Sequence, residues 1–270
     1  MLPEAFRLED SRLRTCMATP IEHTLHPAIS PPEAGAGPAD DASSLRARME
    51  PPEWLRQDGI PVEPSENEAL KLLLALESRE RGTHLHSLRV QAFAMVLGER
   101  CGYRGADLAQ LGYGALLHDI GKILIPDSLL LKPGRLSEQE MRIVQQHPSR
   151  GYQFLWRFPH LREAAVLALC HHERMDGAGY PLRLRGQEIP LGARITMVAD
   201  ALDVIVSGRS YSPARSLAAA RVEIRRCAGT QFDQDVVDVF LQVGHEQWTW
   251  VHKSIGSPVA CAASSLPALP

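Results

Sequence analysis

The sequence predicts an all-α fold, with one helical domain over residues 65–246. Apolar residues recur every three or four positions in most segments of this domain, and alternating strand-like patterns are nearly absent. Two serines are each followed three residues later by a glutamate, which is the spacing of a helix-opening capping box. The chain has 270 residues, 44% of them apolar, which is enough for one main domain with a core of ordinary size.

The two ends of the chain differ from this domain in composition. Half of the 20 prolines lie in residues 1–64, with alanine, glycine and serine between them. Such a composition buries little apolar surface, so we expect a disordered N-terminal lead over residues 1–64. Residues 247–270 are expected to form a C-terminal tail, because proline, alanine and serine dominate from about Ser254 onwards.

The first half of the domain is predicted to contain three helices before a polar pair of residues. Ser65 and Glu68 have the capping-box spacing and open the first helix. Apolar spacing predicts a second helix around residues 90–97 and a third over 108–116. The third helix runs directly into His118.

The second half of the domain begins with a loop and continues as helices. Proline and glycine predict the loop around residues 126–134. Ser137 and Glu140 form the next capping box and open a helix. Further helices are predicted at about 161–172, 191–207, 214–227 and 234–243.

Bulk properties exclude several classes of protein. The formal net charge is −3, so no broad nucleic-acid-binding surface is expected and DNA is not a predicted partner. The five cysteines lie far apart without C-x-x-C spacing, which favours reduced thiols in a cytoplasmic protein over a disulfide framework. No apolar run approaches the roughly 20 residues that span a membrane, and the first residues lack the pattern of a secretion signal.

An adjacent histidine and aspartate, His118 and Asp119, follow the third predicted helix. Neighbouring helical residues diverge by about 100°, so both side chains reach one site only where the helix ends or where two metal ions bind. Lys122 lies one turn beyond His118, where its ammonium would suit an anionic substrate such as a phosphate. Taken alone, such a pair is more often a histidine at a helix C-terminus with a satisfied aspartate.

Further candidate ligands follow later in the chain. His147 precedes a proline and, by itself, would be interpreted as an exposed histidine. His171 and His172 emerge from an apolar run, where two imidazoles need polar partners. Asp200 ends another apolar run, where a carboxylate is usually paired or ligated. These residues offer more ligands than one tetrahedral zinc ion takes, and they suit two metal ions bridged by a carboxylate and a hydroxide.

An ordered set of motifs runs through the predicted domain and combines these polar residues with glycine- and proline-containing loops. The motifs are His86-Ser87-Leu88-Arg89-Val90, His118-Asp119-Ile120-Gly121-Lys122, Ile125-Pro126-Asp127, Lys132-Pro133-Gly134, His147-Pro148-Ser149-Arg150-Gly151, His171-His172-Glu173-Arg174, Asp176-Gly177-Ala178-Gly179-Tyr180-Pro181, Ile189-Pro190, Ala193-Arg194-Ile195, Asp200, Asp203, Arg209, Tyr211 and Gln231-Phe232-Asp233. With this set the chain resembles the HD-GYP phosphodiesterases, a branch of the HD-domain metal-dependent phosphohydrolases.

The resemblance implies a fold, an activity and a set of site residues. The implied fold is an HD-domain-like helical bundle with a metal site at its core, holding two divalent metal ions, with iron or manganese expected. The implied activity is hydrolysis of the bacterial second messenger cyclic di-GMP to pGpG or GMP by a metal-bridging hydroxide. The implied metal ligands are His86, His118, Asp119, His147, His171, His172 and Asp200. The implied catalytic residues are Asp119, as the bridge, and Lys122, and the implied substrate contacts are Lys122, Gly179, Tyr180, Pro181 and Arg209.

Three positions depart from the family pattern or compete within it. Gly82 stands four residues before His86, where members with three metal ions carry a glutamate, so two ions are expected. His84 could compete with His86 for the ligand role, although the His-Ser-x-Arg-Val pattern favours His86. Ser212-Pro213 stand where some members carry a lysine, which would remove one phosphate contact.

Three functional hypotheses follow from these observations. The first is an active cyclic di-GMP phosphodiesterase. The second is an HD-type phosphohydrolase of another nucleotide or cyclic dinucleotide, motivated by Ser212-Pro213. The third is a non-catalytic signalling module that docks a diguanylate cyclase or an adaptor protein through the Gly-Tyr-Pro loop. The sequence does not predict the oligomeric state.

Overall fold

Helices account for the regular structure in the computed structural model, which describes residues 83–208 and 213–255. Within these two ranges no β-strand forms, which confirms the all-α prediction. The α-helices are α1 (Thr83–Arg100), α2 (Gly105–Leu116), α3 (Asp127–Leu130), α4 (Glu138–Val144), α5 (His147–Leu155), α6 (Arg162–Cys170), α7 (Leu191–Ser207), α8 (Leu217–Arg226), α9 (Gln234–Gln242) and α10 (His245–Ser254). Short 3-10 turns lie at Ile120–Leu124, Pro159–Leu161 and Gly186–Glu188.

The centre of the core lies where α1, α2 and α7 pack against one another. On α1, Val90, Phe93 and Leu97 are buried, and their spacing of three and four residues places them on one helix face. Helix α7 is buried over most of its surface and also contacts α6, α8 and α9. A helix that is apolar nearly all round belongs in the interior of a bundle.

Helices α5 and α6 pack against each other beside this core. Helix α6 also contacts α2, and its last four residues, 167–170, are all buried. Helix α5 contacts the 3-10 turn Ile120–Leu124 that follows α2. This packing brings the end of α2, the start of α5 and the end of α6 close together.

The helices predicted within the described residues are all present. Helix α7 begins and ends at the predicted residues 191 and 207. The capping box that opens α4 is also present, because the Glu140 backbone N–H donates to Ser137 Oγ at 3.3 Å and the Ser137 N–H donates to Glu140 Oε2 at 2.7 Å. The helix predicted to begin at Ser65 lies outside the described residues, as does the N-terminal lead.

Helices α3, α5 and α10 were not predicted from the sequence, and the short helix α3 lies within the segment that was predicted to be a loop. In α10 the side chains that become buried are Trp248 and Val251, which is too short an apolar pattern to indicate a helix. Trp248 packs edge-on against Phe93 of α1, with ring centroids 5.5 Å apart. The predicted domain boundary after residue 246 therefore falls inside a helix that is packed against the core. Among the described helices, none has the length and apolarity needed to cross a membrane.

Candidate metal centre

Three buried histidines lie at helix ends that meet in the structure. His118 follows the end of α2, His147 is the first residue of α5, and His171 follows the end of α6. Each histidine follows or opens a helix whose apolar face packs in the core, so the backbone fixes where the imidazole lies. Predicted site residues that are distant in sequence are thereby brought together.

The candidate ligands form two groups of side chains. In the first group, one ligand atom each from Asp119, His147, His171 and His172 lies within 4.8 Å of every other. In the second group, His86, His118 and Asp119 meet the same distance limit. The two groups share Asp119, which is buried and is the residue for which the family resemblance implies a bridging role.

The two carboxylate oxygens of Asp119 face different groups. Oδ1 lies 3.2 Å from His147 Nε2 and 3.8 Å from His171 Nε2, whereas Oδ2 lies 3.4 Å from His118 Nε2. Two ligand atoms that each lie about 2.1 Å from one metal ion are separated by about 3 to 4 Å. The observed separations fit one metal ion on each side of the carboxylate.

The hydrogen bonds of the imidazoles leave their Nε2 lone pairs directed into the site. Nδ1 of His118, His147 and His171 lies 2.8, 2.9 and 2.6 Å from the backbone carbonyl oxygen three residues earlier. A carbonyl only accepts, so Nδ1 carries the proton and Nε2 of a neutral imidazole carries a lone pair. The Nε2 atoms of His147 and His171 are 3.2 Å apart, and two lone pairs at that distance repel unless a cation lies between them.

The electrostatics of the site favour the metal-binding forms of three of these ligands, His171, His172 and Asp119. Burial, reinforced by the neighbouring imidazoles, holds the pKa of His171 and of His172 well below the usual range of histidine. Burial opposes ionisation of Asp119, but the Lys122 ammonium and His118 outweigh it and hold the pKa of that carboxyl well below its ordinary value. Metal ligation requires neutral imidazoles and ionised carboxylates, so this protonation pattern fits a metal site.

Lys122 lies at the edge of the site. Its Nζ donates to Asp119 Oδ2 at 2.7 Å, while 17% of the side chain remains exposed. The ammonium is therefore held beside the candidate bridge and is also partly exposed to solvent.

Asp200 of α7 lies beside the second group, next to its member His86 of α1. Asp200 Oδ1 lies 3.4 Å from His86 Nε2, although the aspartate is partly exposed and stands at the margin of the group. His86 is buried and belongs to the group, whereas the competing His84 is only partly buried and does not. The structure thus brings together the predicted ligand residues, with Asp200 outermost.

The Gly-Tyr-Pro loop packs directly against the first group. The Tyr180 ring stacks on the His172 imidazole, with centroids 4.8 Å apart and an interplanar angle of 23°. A Cβ atom on Gly179 would lie 2.4 Å from the Cα atom of Glu173, so only glycine allows this close approach. The Tyr180–Pro181 peptide bond is cis. The loop therefore fixes one wall of the candidate metal centre, while Arg209, the other predicted substrate contact, lies outside the described residues.

Two carboxylates support the site without a role assigned from the sequence. Glu173 is buried and accepts backbone N–H bonds from Leu182 at 2.7 Å and Leu184 at 3.0 Å, which anchors the chain after Pro181. Asp203 is also buried and accepts from His86 Nδ1 at 2.7 Å. Both residues belong to the motifs quoted above. The sequence signal that could have indicated a role for Asp203 is a carboxylate in an apolar helix, three residues after Asp200.

Comparison with known proteins identifies the class. The family described as "HD domain" matches residues 68–236. "Cyclic di-GMP phosphodiesterase response regulator RpfG" of Xanthomonas campestris pv. campestris (strain 8004) is 42% identical over 186 residues, which cover 67% of this chain and 49% of that protein. "Cyclic di-GMP phosphodiesterase" of Thermotoga maritima is 41% identical over 182 residues, covering 66% of this chain and 50% of that protein.

A further curated relative has a different cyclic dinucleotide in its name. "3'3'-cGAMP-specific phosphodiesterase 2" of Vibrio cholerae is 36% identical over 182 residues, covering 67% of this chain and 35% of that protein. The chain thus spans about half the length, or less, of these three curated relatives.

The family match extends over more than half of the chain. The fold and the candidate metal centre therefore belong to a helical domain of the HD type. The chain belongs to the HD-domain family, and its ordered motifs and curated relatives place it in the HD-GYP branch.

Proposed function

We propose that this chain is a metal-dependent phosphodiesterase that hydrolyses cyclic di-GMP to pGpG or GMP. The observation that carries the proposal is the position of Asp119, whose two oxygens face two separate groups of imidazole nitrogens. Two curated relatives that are named cyclic di-GMP phosphodiesterases, at 42% and 41% identity, support the choice of substrate.

We propose two divalent metal ions, iron or manganese, as the cofactors. Imidazole nitrogens with carboxylate oxygens are a donor set that suits both metals. The proposed ligands are His86, His118, Asp119, His147, His171, His172 and Asp200. When bound, such a pair of ions supplies Lewis acidity and an activated water to a phosphodiester.

The side chains of this chain have separate tasks in that reaction. Asp119 connects the two ligand groups and sets their spacing, because each oxygen faces one group. Lys122 places an ammonium beside Asp119, where it would stabilise the negative charge that develops on the phosphoryl oxygens of the substrate. Tyr180 holds the His172 ring by stacking, and together with Gly179, Pro181 and Arg209 it is proposed to contact the substrate.

The test compares wild type with Asp119→Ala, both purified anaerobically, by metal content and by cyclic di-GMP turnover. Because Asp119 belongs to both groups, its loss should remove most of the bound metal and abolish turnover. Asp107→Ala is the matched control, since Asp107 is an exposed aspartate on α2 remote from the two groups. About two metal ions per wild-type chain with turnover lost only in Asp119→Ala is expected. Wild type that binds metal and leaves cyclic di-GMP intact would contradict the substrate.

A second candidate substrate is 3'3'-cyclic GMP-AMP. The Vibrio cholerae relative named for this dinucleotide favours it, as does Ser212-Pro213 in place of a basic residue. Both substrates contain two phosphodiester bonds and differ in one base, so the same metal groups could serve either. Turnover of both dinucleotides by one preparation decides between them, and the ratio of kcat/KM values is the measure.

Partner binding and location are further proposals. Leu182, directly after the Gly-Tyr-Pro loop, is 46% exposed and would offer an apolar contact to a diguanylate cyclase or an adaptor protein. A cytoplasmic location is supported by the wide spacing of the five cysteines.

A further inference from the structure

The carboxylate of Asp203 is saturated with hydrogen bonds directly behind the second ligand group. It accepts from His86 Nδ1 at 2.7 Å, from Arg89 Nε at 2.5 Å and Nη2 at 3.2 Å, and from Ser207 Oγ at 2.9 Å. A carboxylate has about four lone-pair positions, so these four donors use its full capacity. A buried carboxylate held in this way has a fixed orientation.

His86 is anchored differently from three other histidines of the site. Nδ1 of His118, His147 and His171 lies against a backbone carbonyl of the preceding turn. Nδ1 of His86 instead lies against the carboxylate of Asp203 on another helix. An ionised acceptor makes the stronger hydrogen bond and increases the basicity of the opposite ring nitrogen, which is the one directed at the proposed metal.

The hydrogen-bond chain continues from Asp203 to the C-terminal helix α10. Ser207 Oγ has one hydrogen and donates it to Asp203, so it accepts at its 3.0 Å contact with His252 Nε2. His252 lies on α10, which begins after the end of the HD-domain match at residue 236. The Trp248 ring of the same helix packs against the rings of Phe93 and Phe240, and both centroid distances are 5.5 Å.

We propose that Asp203, Ser207 and His252 are positioning residues for His86. Helix α10 thereby contributes to the geometry of the metal centre. The inference rests on the proposed function, since His86 must be a metal ligand. In this relay of hydrogen bonds each residue orients the next one. His252 orients the Ser207 hydroxyl, Ser207 orients the Asp203 carboxylate, and Asp203 orients the His86 imidazole. Removing any member leaves the next with one partner fewer.

The test measures Mn²⁺ affinity of the full chain by competition with a chelator, together with the melting temperature of each metal-free protein. Ser207→Ala should weaken Mn²⁺ binding at the second ligand group by about tenfold, since the loss of a residue that orients a ligand commonly lowers metal affinity 10- to 100-fold. His252→Ala should weaken it less. The double variant should match Ser207→Ala alone, because His252 acts only through the serine hydroxyl.

Two control variants separate positioning from folding. His245→Ala makes the same substitution at an exposed residue of α10 and should leave the affinity unchanged. Ser207→Thr keeps a hydroxyl and should restore most of the affinity. A purely structural role would lower the melting temperature of metal-free Ser207→Ala while its Mn²⁺ affinity stays at the wild-type value.

The outcomes distinguish this inference from the proposed function. Wild type that binds no Mn²⁺ would overturn the metal centre itself. Wild type that binds two ions, with unchanged affinity in Ser207→Ala or with additive losses in the double variant, would overturn the relay alone.

Discussion

At the scale of single residues, the ion pair between Lys122 and Asp119 joins a proposed metal ligand to a proposed substrate contact. The carboxylate is nearly buried, and its Oδ2 accepts from Lys122 Nζ at 2.7 Å while facing His118 at 3.4 Å. One oxygen is therefore shared between a proposed metal ligand group and an ammonium that faces solvent. In the proposed function this arrangement separates two tasks, since the imidazoles would hold the metal ions and the lysine would contact the anionic substrate.

Replacing Lys122 by methionine, which keeps the length of the side chain without its charge, tests this separation. Turnover of cyclic di-GMP by Lys122→Met should fall about 10²- to 10³-fold, which is the usual cost of one lost stabilising donor. Bound metal should remain at the wild-type amount, because the imidazole ligands are unchanged. Lys132→Met is the control, since Lys132 pairs with Glu140 in an exposed position. Unchanged kcat in Lys122→Met, or loss of metal, would contradict the assignment.

The sequence predicts which residues come together at the candidate site, but it does not predict how they are arranged. His118, His171 and Asp200 follow or end apolar runs, where polar side chains need partners. This pattern can be recognised in the amino-acid sequence. The division into two groups that share Asp119 depends on distances between helix ends. The hydrogen bonds of Asp203 likewise depend on how α1, α7 and α10 pack. The spacing of apolar residues in the sequence does not predict that packing.

At the scale of helices and turns, Gly121 sets the distance between the turn after α2 and helix α5. A Cβ atom at this position would lie 1.9 Å from the carbonyl oxygen of His147 and 2.6 Å from the backbone nitrogen of Gly151. Both neighbours are backbone atoms of α5, which cannot rotate away as a side chain can. The absence of a side chain at Gly121 therefore lets His147 approach Asp119.

Gly121→Ala should push α5 away and displace His147 from the first ligand group. Overpacking of this kind costs about 1–3 kcal/mol of folding stability, and metal affinity should fall with it. Gly244→Ala is the matched control, because Gly244 has an ordinary φ of −61° and no heavy atom within 4 Å of the added Cβ. Urea unfolding and Mn²⁺ titration measure both effects. Wild-type values for Gly121→Ala would show that α5 tolerates the displacement.

The helices differ in how well the sequence predicts them. Helix α7 is long and apolar, and its predicted limits at residues 191 and 207 agree with the structure. Helix α10 buries only Trp248 and Val251 and therefore lacks a recognisable repeat. Its position is decided by tertiary contacts with Phe93 and Phe240, which the sequence of α10 does not contain.

At the scale of the whole described domain, the buried cluster of imidazoles predicts that folding stability depends on bound metal. Without a cation, the Nε2 lone pairs of His147 and His171 lie 3.2 Å apart in the interior. Burial keeps the pKa of His171 well below that of a free imidazole, so protonation of His171 does not relieve this repulsion near neutral pH. The packing of α5 against α6 must therefore hold the cluster together when metal is absent.

Removal of metal should consequently lower the stability of the whole domain and not only its activity. A ligand at 100 times its dissociation constant stabilises the folded state by about 2.7 kcal/mol per site, which corresponds to a rise in melting temperature of about 5–10 °C for a domain of this size. Scanning calorimetry of wild type with Mn²⁺ and after EDTA treatment measures this shift. Asp119→Ala should show little shift under the same two conditions, because Asp119 belongs to both ligand groups. Equal melting temperatures of metal-loaded and EDTA-treated wild type would mean that the cluster is stable without a cation, and the repulsion between His147 and His171 would then need another source of relief.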